Sequence, residues 1–373
     1  MGIQEKFDFA VIGLGAVGSS AFYHLSKSGK KVLGLDRFHP PHDIGSSHGE
    51  TRITRLAVGE GEDYVALAKR SHELWRDLEL ISGQKIMSTC GGILIDSGEK
   101  PWTKHGAEGF WDKTVRYAKN QKIDHQILSP EEAKISFPAF KIPDLGKIYW
   151  EKEAGFLRPE LAISIQLQLA QSFGGNLQTH TPVLDISEFS GGFFLKTEKG
   201  DFWAEKILIS AGGWIKDFLP QEKKTRFKIC RQVLHWLEID PGLQDWTKYP
   251  VWMWGFGPNP EDFIYGFPSL DGKTVKMATE SFLDCEHPDF LDREVSLQEQ
   301  KLFWDNKVKD KILGLLPSFT QSKVCFYTVT EDARFVVENW NGNSGALLVS
   351  ACSGHGFKHS AGLGEKLAIQ LLD

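Results

Sequence analysis

The sequence contains few cysteines, and they follow no recognisable pattern. Five occur in 373 residues, with no Cys-x-x-Cys pair, and they stand at positions 90, 230, 285, 325 and 352. An odd, scattered set argues against a disulfide framework and excludes a zinc site that could be recognised from its spacing. We therefore expect free thiols in a reducing compartment and predict no metal site.

Long apolar runs, basic clusters and targeting signals are also missing. No stretch approaches the ~20 apolar residues that a membrane-spanning helix needs. The net charge is −6 and the basic residues are scattered, so nucleic acid is not expected as a partner. The first residues lead straight into a predicted strand rather than a secretory leader, and the final QLLD carries no sorting signal. These absences predict a cytoplasmic protein that binds neither membranes nor nucleic acid.

The length and composition favour a globular protein of two domains. A chain of 373 residues exceeds what a single core usually serves, while 41% hydrophobic and 25% charged residues are ordinary values. Twelve tryptophans and 25 phenylalanines are unusually many. They indicate either a densely packed aromatic core or a cavity lined with rings.

The strongest local signal lies in residues 7–18, FDFAVIGLGAVG, and in the VLGLD that ends at Asp36. The pattern predicts a buried strand, a glycine turn, a helix and a second strand. Gly13 permits the tight turn, Gly15 lets a pyrophosphate approach the backbone, and Gly18 lets the helix pack close to the sheet. The free N–H groups of the helix N-terminus favour phosphate, and a carboxylate at Asp36 can accept hydrogen bonds from a ribose. We predict dinucleotide binding, with a glycine turn in an ordinary α/β unit as the alternative.

Hydrophobic periodicity predicts the remaining elements. Helices are expected over 63–82, in 107–128 before a short strand, after Ser129, over 155–175 and over 296–316. Strands are expected over 91–98, 145–150, 177–187, 193–198, 206–214 and 324–339, with alternating antiparallel strands in 228–285. The last strand, glycine turn and helix are similar to the opening unit, so we expect them to return to the first sheet. The predicted fold class is α/β, a Rossmann-like domain joined to an α+β domain on a large mixed sheet.

Residues 45–57, GSSHGETRITRLA, combine small polar residues with two arginines. On a helix Arg52 and Arg55 would share a face, because they are three residues apart. A solvated surface helix is one interpretation. The other is a ligand-binding segment, which we favour because few carboxylates lie nearby and the Gly-Ser-Ser-His stretch is typical of a loop folded against a ligand.

Several stretches taken together resemble one family: GLGAVG, SSHGETRITRLAVGEG, YGFPS, VCFYT and SGHGFK. Over residues 7–370 the chain resembles monomeric sarcosine oxidase and N-methyltryptophan oxidase, within the glycine-oxidase-like flavoprotein amine oxidases. The resemblance implies a Rossmann-like FAD domain and a catalytic domain with a large mixed sheet. It also implies that FAD is attached covalently through the sulfur of Cys325; a buried core thiol is the alternative for this residue.

The resemblance implies a set of cofactor-binding residues: Gly13, Gly15, Ala16, Val17, Gly18, Asp36, Arg37, Ser46, His48, Arg52, Val183, Ala211, Gly212, Cys325, Gly354, His355, Gly356 and Lys358. Three residues are implied in catalysis: Lys276 activates oxygen, Arg52 lies over the flavin, and Tyr265 lines the pocket. Four are implied in substrate binding. Arg55 and Lys358 would clamp a carboxylate, with Tyr327 and Glu280 in the same pocket.

Two positions depart from the family pattern. Glu280 stands where the sarcosine-oxidising members carry a histidine, and Val58 stands where related sequences have a tyrosine. A carboxylate at position 280 would repel a substrate carboxylate and could attract a cationic amine. Both changes affect the pocket, so they concern the identity of the substrate rather than the chemistry.

The resemblance implies a monomeric oxidase of secondary, N-methylated amino acids that uses O₂ and releases an imine and H₂O₂. An oxidase of a cyclic or fructosyl amino acid, such as pipecolate, proline or an Amadori product, is the alternative within this class. A non-catalytic, flavin-bound amino-acid-binding protein and a nicotinamide-dependent dehydrogenase are alternatives from other classes. We expect residues 1–90, 151–227 and 321–373 to form the FAD domain, and 91–150 and 228–320 the substrate domain.

Overall fold

The computed structural model describes residues 3–98, 102–104, 107–259, 261–281 and 283–373. Numbered in chain order, the strands are β1 Ile3–Ile12, β2 Val32–Leu35, β3 Arg52–Thr54, β4 Met87–Thr89, β5 Gly92–Asp96, β6 Thr103–Lys104, β7 Ala107–Glu108, β8 Gln126–Leu128, β9 Lys147–Glu151, β10 Gly155–Leu157, β11 Asn176–Gln178, β12 Val183–Phe189, β13 Gly192–Thr197, β14 Gly200–Ile209, β15 Lys228–Ile239, β16 Val251–Gly255, β17 Phe263–Gly266, β18 Thr274–Ala278, β19 Asp284–Cys285, β20 Leu315–Val329, β21 Val336–Asn339 and β22 Ala346–Ser350. The α-helices are α1 Ala16–Lys27, α2 Asp63–Ser82, α3 Phe110–Asn120, α4 Pro130–Ser136, α5 Pro159–Ser172, α6 Gln221–Lys224, α7 Leu297–Phe303 and α8 Ser360–Leu372.

The first sheet contains the predicted dinucleotide unit. Its strands lie in the order β11-β2-β1-β14-β13-β12, with β22 beside β14 and β21 beside β22. The strands β11, β2, β1, β14 and β22 are parallel, and helices α1, α5 and α8 pack together against this sheet. The predicted return of the final strand to the first sheet is confirmed. The carboxyl ends of these strands therefore meet at one edge, which is where open α/β sheets bind ligands.

The second sheet is larger and mixed. Its order is β19-β15-β18-β17-β16-β5-β9-β8, with β20 beside β15. Strands β16 and β5 pair in parallel, whereas the other neighbouring strands of the second sheet pair antiparallel. Aromatic rings fill the core against it: Phe140 lies 5.4 to 6.2 Å, between ring centroids, from Trp246, Tyr249, Trp252 and Trp254. Part of the high aromatic content thus serves core packing.

One alternative and one prediction for the secondary structure near the site are wrong. The surface-helix alternative for the arginine segment is excluded, because Arg52–Thr54 forms strand β3 and pairs with β10. The helix predicted over 155–175 begins only at Pro159, because Gly155–Leu157 is needed as the central strand between β3 and β4. This small sheet joins three short segments that are distant in sequence, so no local periodicity indicates it.

The chain around residue 315 also differs from its prediction. A helix was expected over 296–316, but the α-helix ends at Phe303 and a π-helical turn follows over Trp304–Val308. Gly314 then takes a φ of +77° just before β20. Strand β20 pairs along most of β15, so residues 321–329 lie in the second sheet. The predicted domain border at residue 321 divides this strand, and the division into domains remains a proposal.

The described residues show neither a membrane-spanning helix nor a metal-binding cluster. Among them, no helix combines the length and apolar character needed to cross a membrane. The same residues contain no cluster of three or more His, Cys, Asp or Glu side chains able to hold a metal ion.

Candidate active site

A cavity of about 610 Å³ extends from the carboxyl edge of the first sheet to one face of the second. Gly15 and Asp36 line it on the first sheet, whereas Tyr265, Lys276 and Cys325 line it on the second. This volume lies within the range of roughly 300–1,000 Å³ that is typical of ligand sites. The fold thus brings both predicted halves of the site to one cavity.

The N-terminus of α1 forms a cradle at one end of the cavity. No described side chain caps this helix, and its first turn holds no acidic residue. A Cβ on Gly13 (φ +86°) would lie 2.6 Å from the carbonyl oxygen of Ser210, and a Cβ on Gly18 would lie 1.9 Å from that of Gly13. By contrast, no atom lies within 4 Å of a Cβ built on Gly15, which borders the cavity. The open space beside Gly15 fits phosphates that accept hydrogen bonds from the helix.

Asp36 lies beside this cradle at the end of β2. Its Oδ2 accepts a hydrogen bond from the backbone N–H of Leu14 at 2.7 Å, and its Oδ1 accepts one from Phe38 at 2.8 Å. Burial raises the pKa of Asp36 above its usual value, while the two backbone hydrogen bonds and His42 oppose the rise. The carboxylate is fixed by the backbone and borders the cavity, as binding of a ribose requires.

All but two of the predicted cofactor residues line the cavity. Those that do are Gly13, Gly15, Ala16, Val17, Asp36, Arg37, Ser46, Arg52, Val183, Ala211, Gly212, Cys325, Gly354, His355, Gly356 and Lys358. Gly18 does not border it and instead packs α1 against the turn. His48 is 2% exposed and lies off the cavity wall, and neither ring nitrogen has a hydrogen-bond partner among the described residues. Burial, and then the neighbouring Arg52, lower the pKa of His48 to about 3, so the ring is neutral.

Lys276 points from β18 into the cavity and is 5% exposed. Its strand neighbours Val275 and Met277 belong to the apolar core on the other face, as alternation in a strand requires. The ammonium donates hydrogen bonds to the carbonyl of Gly49, to the carbonyl of Thr51 at 2.9 Å and to its hydroxyl at 3.0 Å. Burial lowers the pKa of Lys276 well below its ordinary value, and Arg52 lowers it further.

The predicted carboxylate clamp already holds a carboxylate of the protein itself. Arg55 donates to Glu60 at 3.0 Å and to the carbonyl of Ala57, and the Lys358 ammonium lies 3.6 Å from the other Glu60 oxygen. All three charged side chains are at most 7% exposed. The expectation that few carboxylates could pair with the arginines is therefore wrong for Arg55. Glu60 was not predicted as a site residue. Its place in Gly-Glu-Gly, five residues after Arg55, could have indicated it as a partner for that arginine.

The cavity wall also carries hydroxyl and carboxyl groups. The hydroxyls of Tyr265 and Tyr327 lie 3.5 Å apart, and burial raises the pKa of both phenols. Glu280, only 3% exposed, borders the same cavity and adds to the rise at both tyrosines. With Glu60 included, the pocket is mixed in charge rather than simply cationic.

Cys325 lies on β20 and is buried against the cavity. Burial raises the pKa of its thiol, whereas the nearby Arg52 and Lys276 oppose that rise. Arg52 is itself fixed, because its guanidinium donates to the carbonyls of Ser46 at 2.7 Å and Thr51 at 2.8 Å. The two cations thus favour the thiolate form of Cys325 and offset part of the effect of burial.

A glycine turn and carboxylate at one end of the cavity, with a buried lysine and arginines at the other, define a dinucleotide-dependent oxidoreductase. The DAO family, FAD dependent oxidoreductase, matches residues 8–369, and the chain belongs to this family. The donor set fits FAD: a phosphate cradle, a fixed carboxylate for ribose, and a cation-lined chamber for the redox-active ring.

Curated relatives and solved structures agree with this assignment. Monomeric sarcosine oxidase from Arthrobacter sp. (strain TE1826) is 32% identical over 375 aligned residues, covering 99% of this chain and 93% of the relative. N-methyl-L-tryptophan oxidase from Yersinia pestis (strain Pestoides F) is 30% identical, covering 97% of this chain and 94% of that protein. The solved structure of NikD, an unusual amino acid oxidase, superposes with a TM-score of 0.85 at 18% identity, covering 99% and 95% of the two chains. The predicted family and fold class are confirmed.

Proposed function

We propose that the protein is an FAD-dependent oxidase of secondary, N-methylated amino acids such as sarcosine, with O₂ as the electron acceptor. The observation that carries this proposal is the buried pair of cations, Arg55 and Lys358, in the same cavity as Lys276 and the dinucleotide cradle. The names of the relatives, which specify sarcosine and N-methyl-L-tryptophan, support it.

FAD would be held by the α1 N-terminus, Asp36 and the Gly354–Gly356 turn, with Cys325 as its covalent attachment. When bound, FAD supplies two-electron oxidation of the substrate C–N bond and passes the electrons to O₂. The overall products are an imine, which hydrolyses to an aldehyde and an amine, and H₂O₂.

The protein's own residues bind and orient the substrate. Arg55 donates to one oxygen of the carboxylate that Glu60 now supplies, and Lys358 places a second positive charge beside the other oxygen, a combination suited to a substrate carboxylate. To bind there, a substrate carboxylate must take the place of Glu60. Displacement of Glu60 is therefore part of substrate binding, and it makes the clamp selective for ligands that bear a carboxylate.

Lys276 supplies positive charge to the oxygen reaction. A buried ammonium held by three fixed oxygen acceptors is oriented in advance and stabilises negative charge that develops beside it. Arg52, which is fixed by two carbonyls, adds a second cation at the same end of the cavity.

A second substrate class is favoured by the carboxylates of the pocket. Glu280 can accept hydrogen bonds from sugar hydroxyls or pair with a second cationic group, so a fructosyl or cyclic amino acid is the alternative. We further propose that the protein is a cytoplasmic monomer with the domain division stated above.

Oxygen consumption and peroxide release test the proposal together. We expect one H₂O₂ per O₂ consumed with sarcosine or N-methyl-L-tryptophan, measured with an oxygen electrode and a peroxidase-coupled dye. Pipecolate and a fructosyl amino acid, assayed in parallel, would reveal the alternative substrate class. Absence of peroxide with all four, in a protein whose flavin is reduced by dithionite, would contradict an oxidase and favour a binding protein.

A further inference from the structure

The carbonyl groups that hold Lys276 belong to a short segment, residues 49–51, with an unusual backbone. Gly49 has a φ of +95° and the next residue, Glu50, has a φ of +69°. The left-handed region suits glycine, but it is unfavourable for glutamate. Something outside the segment must therefore hold it in this conformation.

Glu160, in the first turn of α5, makes the contact that does so. A single carboxylate oxygen, Oε1, accepts the backbone N–H of Gly49 at 2.6 Å and that of Glu50 at 3.1 Å. Successive backbone N–H groups that converge in this way form an anion-binding concavity. Here the anion is supplied by a residue 111 positions away in the sequence.

The two faces of the segment thus meet opposite charges. Its N–H groups point to the Glu160 carboxylate, and the carbonyls of Gly49 and Thr51 accept hydrogen bonds from Lys276. The Gly49–Glu50 peptide dipole is favourable at both ends in this orientation, because its N–H faces the Glu160 carboxylate and its carbonyl faces the Lys276 ammonium. The side chain of Glu50 adds a support, since it accepts a hydrogen bond from Trp236 Nε1 at 2.9 Å.

We infer that Glu160 is a positioning residue for the oxygen reaction: its carboxylate fixes residues 49–51, and their carbonyls in turn hold the Lys276 ammonium in place. The inference rests on the proposed function, in which Lys276 serves the reaction with O₂. Glu160 does not line the cavity, so it would act on the reaction with O₂ only through residues 49–51 and Lys276.

The charges around Lys276 set the expected pH behaviour. Arg52 lowers the pKa of Lys276 beyond the effect of burial, while Cys325, Glu160 and Glu50 raise it, and the adjacent His48 is neutral. Removing the Glu160 charge lowers the pKa of Lys276 further. As the pH is raised, Lys276 therefore loses its proton at a lower pH in the variant than in the parent.

The experiment compares three variants of the holoenzyme with the parent enzyme. Glu160→Gln keeps the shape and removes the charge, Lys276→Met removes the ammonium, and Glu131→Gln is the control. Glu131 lies in the first turn of α4 and is exposed and away from the cavity. Stopped-flow absorbance follows anaerobic reduction by substrate and, separately, reoxidation by O₂ across pH. Hydrogen–deuterium exchange follows the amides of Gly49 and Glu50.

In Glu160→Gln we expect reoxidation to slow about tenfold and its pH midpoint to fall, because the carboxylate charge that raises the pKa of Lys276 is removed. Reduction should change by less than about twofold, because the carboxylate clamp is untouched. The two amides should exchange faster, and Glu131→Gln should match the parent in every measurement.

Two other outcomes are distinguishable. If Lys276→Met slows reoxidation but Glu160→Gln matches the parent in rate, pH midpoint and amide exchange, the positioning role is overturned. If Lys276→Met reoxidises normally, the oxygen role in the proposed function is wrong. The exchange data, which do not depend on that role, still decide whether Glu160 fixes the segment.

Discussion

Replacement of Glu60 by glutamine should tighten the binding of carboxylate ligands. Glu60 lies 3.0 Å from Arg55 and 3.6 Å from Lys358, at the position that a substrate carboxylate needs. At an effective dielectric constant of about 20, two charges 3.0 Å apart attract with an energy on the order of 5 kcal/mol. A substrate carboxylate that replaces Glu60 regains most of this attraction energy. The unrecovered part, which is the cost of breaking the buried charge-assisted pair, should be about 1–3 kcal/mol. Glu60→Gln removes this cost, so the Kd of a carboxylate ligand should fall roughly 5- to 150-fold.

Three ligands separate the parts of this prediction. Sarcosine carries a carboxylate and an amine, acetate carries only the carboxylate, and dimethylamine carries only the amine. Titration of the flavin absorbance gives the Kd of acetate and of dimethylamine, and the concentration dependence of the anaerobic reduction rate gives the apparent Kd of sarcosine. In Glu60→Gln, sarcosine and acetate should bind more tightly, whereas dimethylamine should not gain affinity. Glu62→Gln is the matched control, because Glu62 contacts Asn120 and Gln121 rather than the clamp.

Binding of acetate to the Glu60→Gln variant no tighter than to the parent would refute the displacement of Glu60 by a substrate carboxylate. Weaker binding of dimethylamine in that variant, with no gain for acetate, would show that Glu60 remains in place and binds a cationic substrate. The cavity would then serve an amine rather than an amino acid.

Three further predictions follow from buried groups. Lys276→Met should slow reoxidation by O₂ far more than anaerobic reduction, and equal slowing of both half-reactions would contradict the oxygen role. Cys325→Ser should release its flavin on acid precipitation, whereas the parent should keep the colour in the pellet; release from both proteins would refute covalent attachment. Stability should fall as the pH drops below 6.5, because burial lowers the pKa of His48 to about 3 and of His235 to about 4. At pH 5 both histidines are protonated in the unfolded chain but neutral in the folded protein, so each lowers the free energy of unfolding by about 2 kcal/mol. An unchanged Tm between pH 7 and pH 5 would contradict this.

The parts of the fold that were predictable are those with a local signal. The strand, glycine turn and helix at residues 7–27 follow from spacing and from the steric needs of Gly13 and Gly18, and the final unit repeats that pattern. The small sheet of β3, β10 and β4 gave no such signal, because each strand has only three residues and its partners are far away in sequence. For the same reason the sequence left a surface helix open as an alternative for the arginine segment.

The site was predictable only in part, for a related physical reason. Sequence patterns indicate which residue types are present, but not which charges neutralise one another after folding. The resemblance supplied Arg55 and Lys358, whereas the insertion of Glu60 between them depends on tertiary structure. The contact of Glu160 with residues 49 and 50 also joins distant parts of the chain. The resemblance placed His48 with the cofactor residues, yet its side chain lies off the cavity wall.

The most direct test of the central claim is the flavin spectrum of the purified protein after anaerobic mixing with sarcosine, with dithionite as the full-reduction control. We expect sarcosine to bleach the flavin band to the extent that dithionite does, and admission of O₂ to restore it. Bleaching by dithionite alone, with no response to sarcosine or N-methyl-L-tryptophan, would contradict the oxidation of N-methyl amino acids.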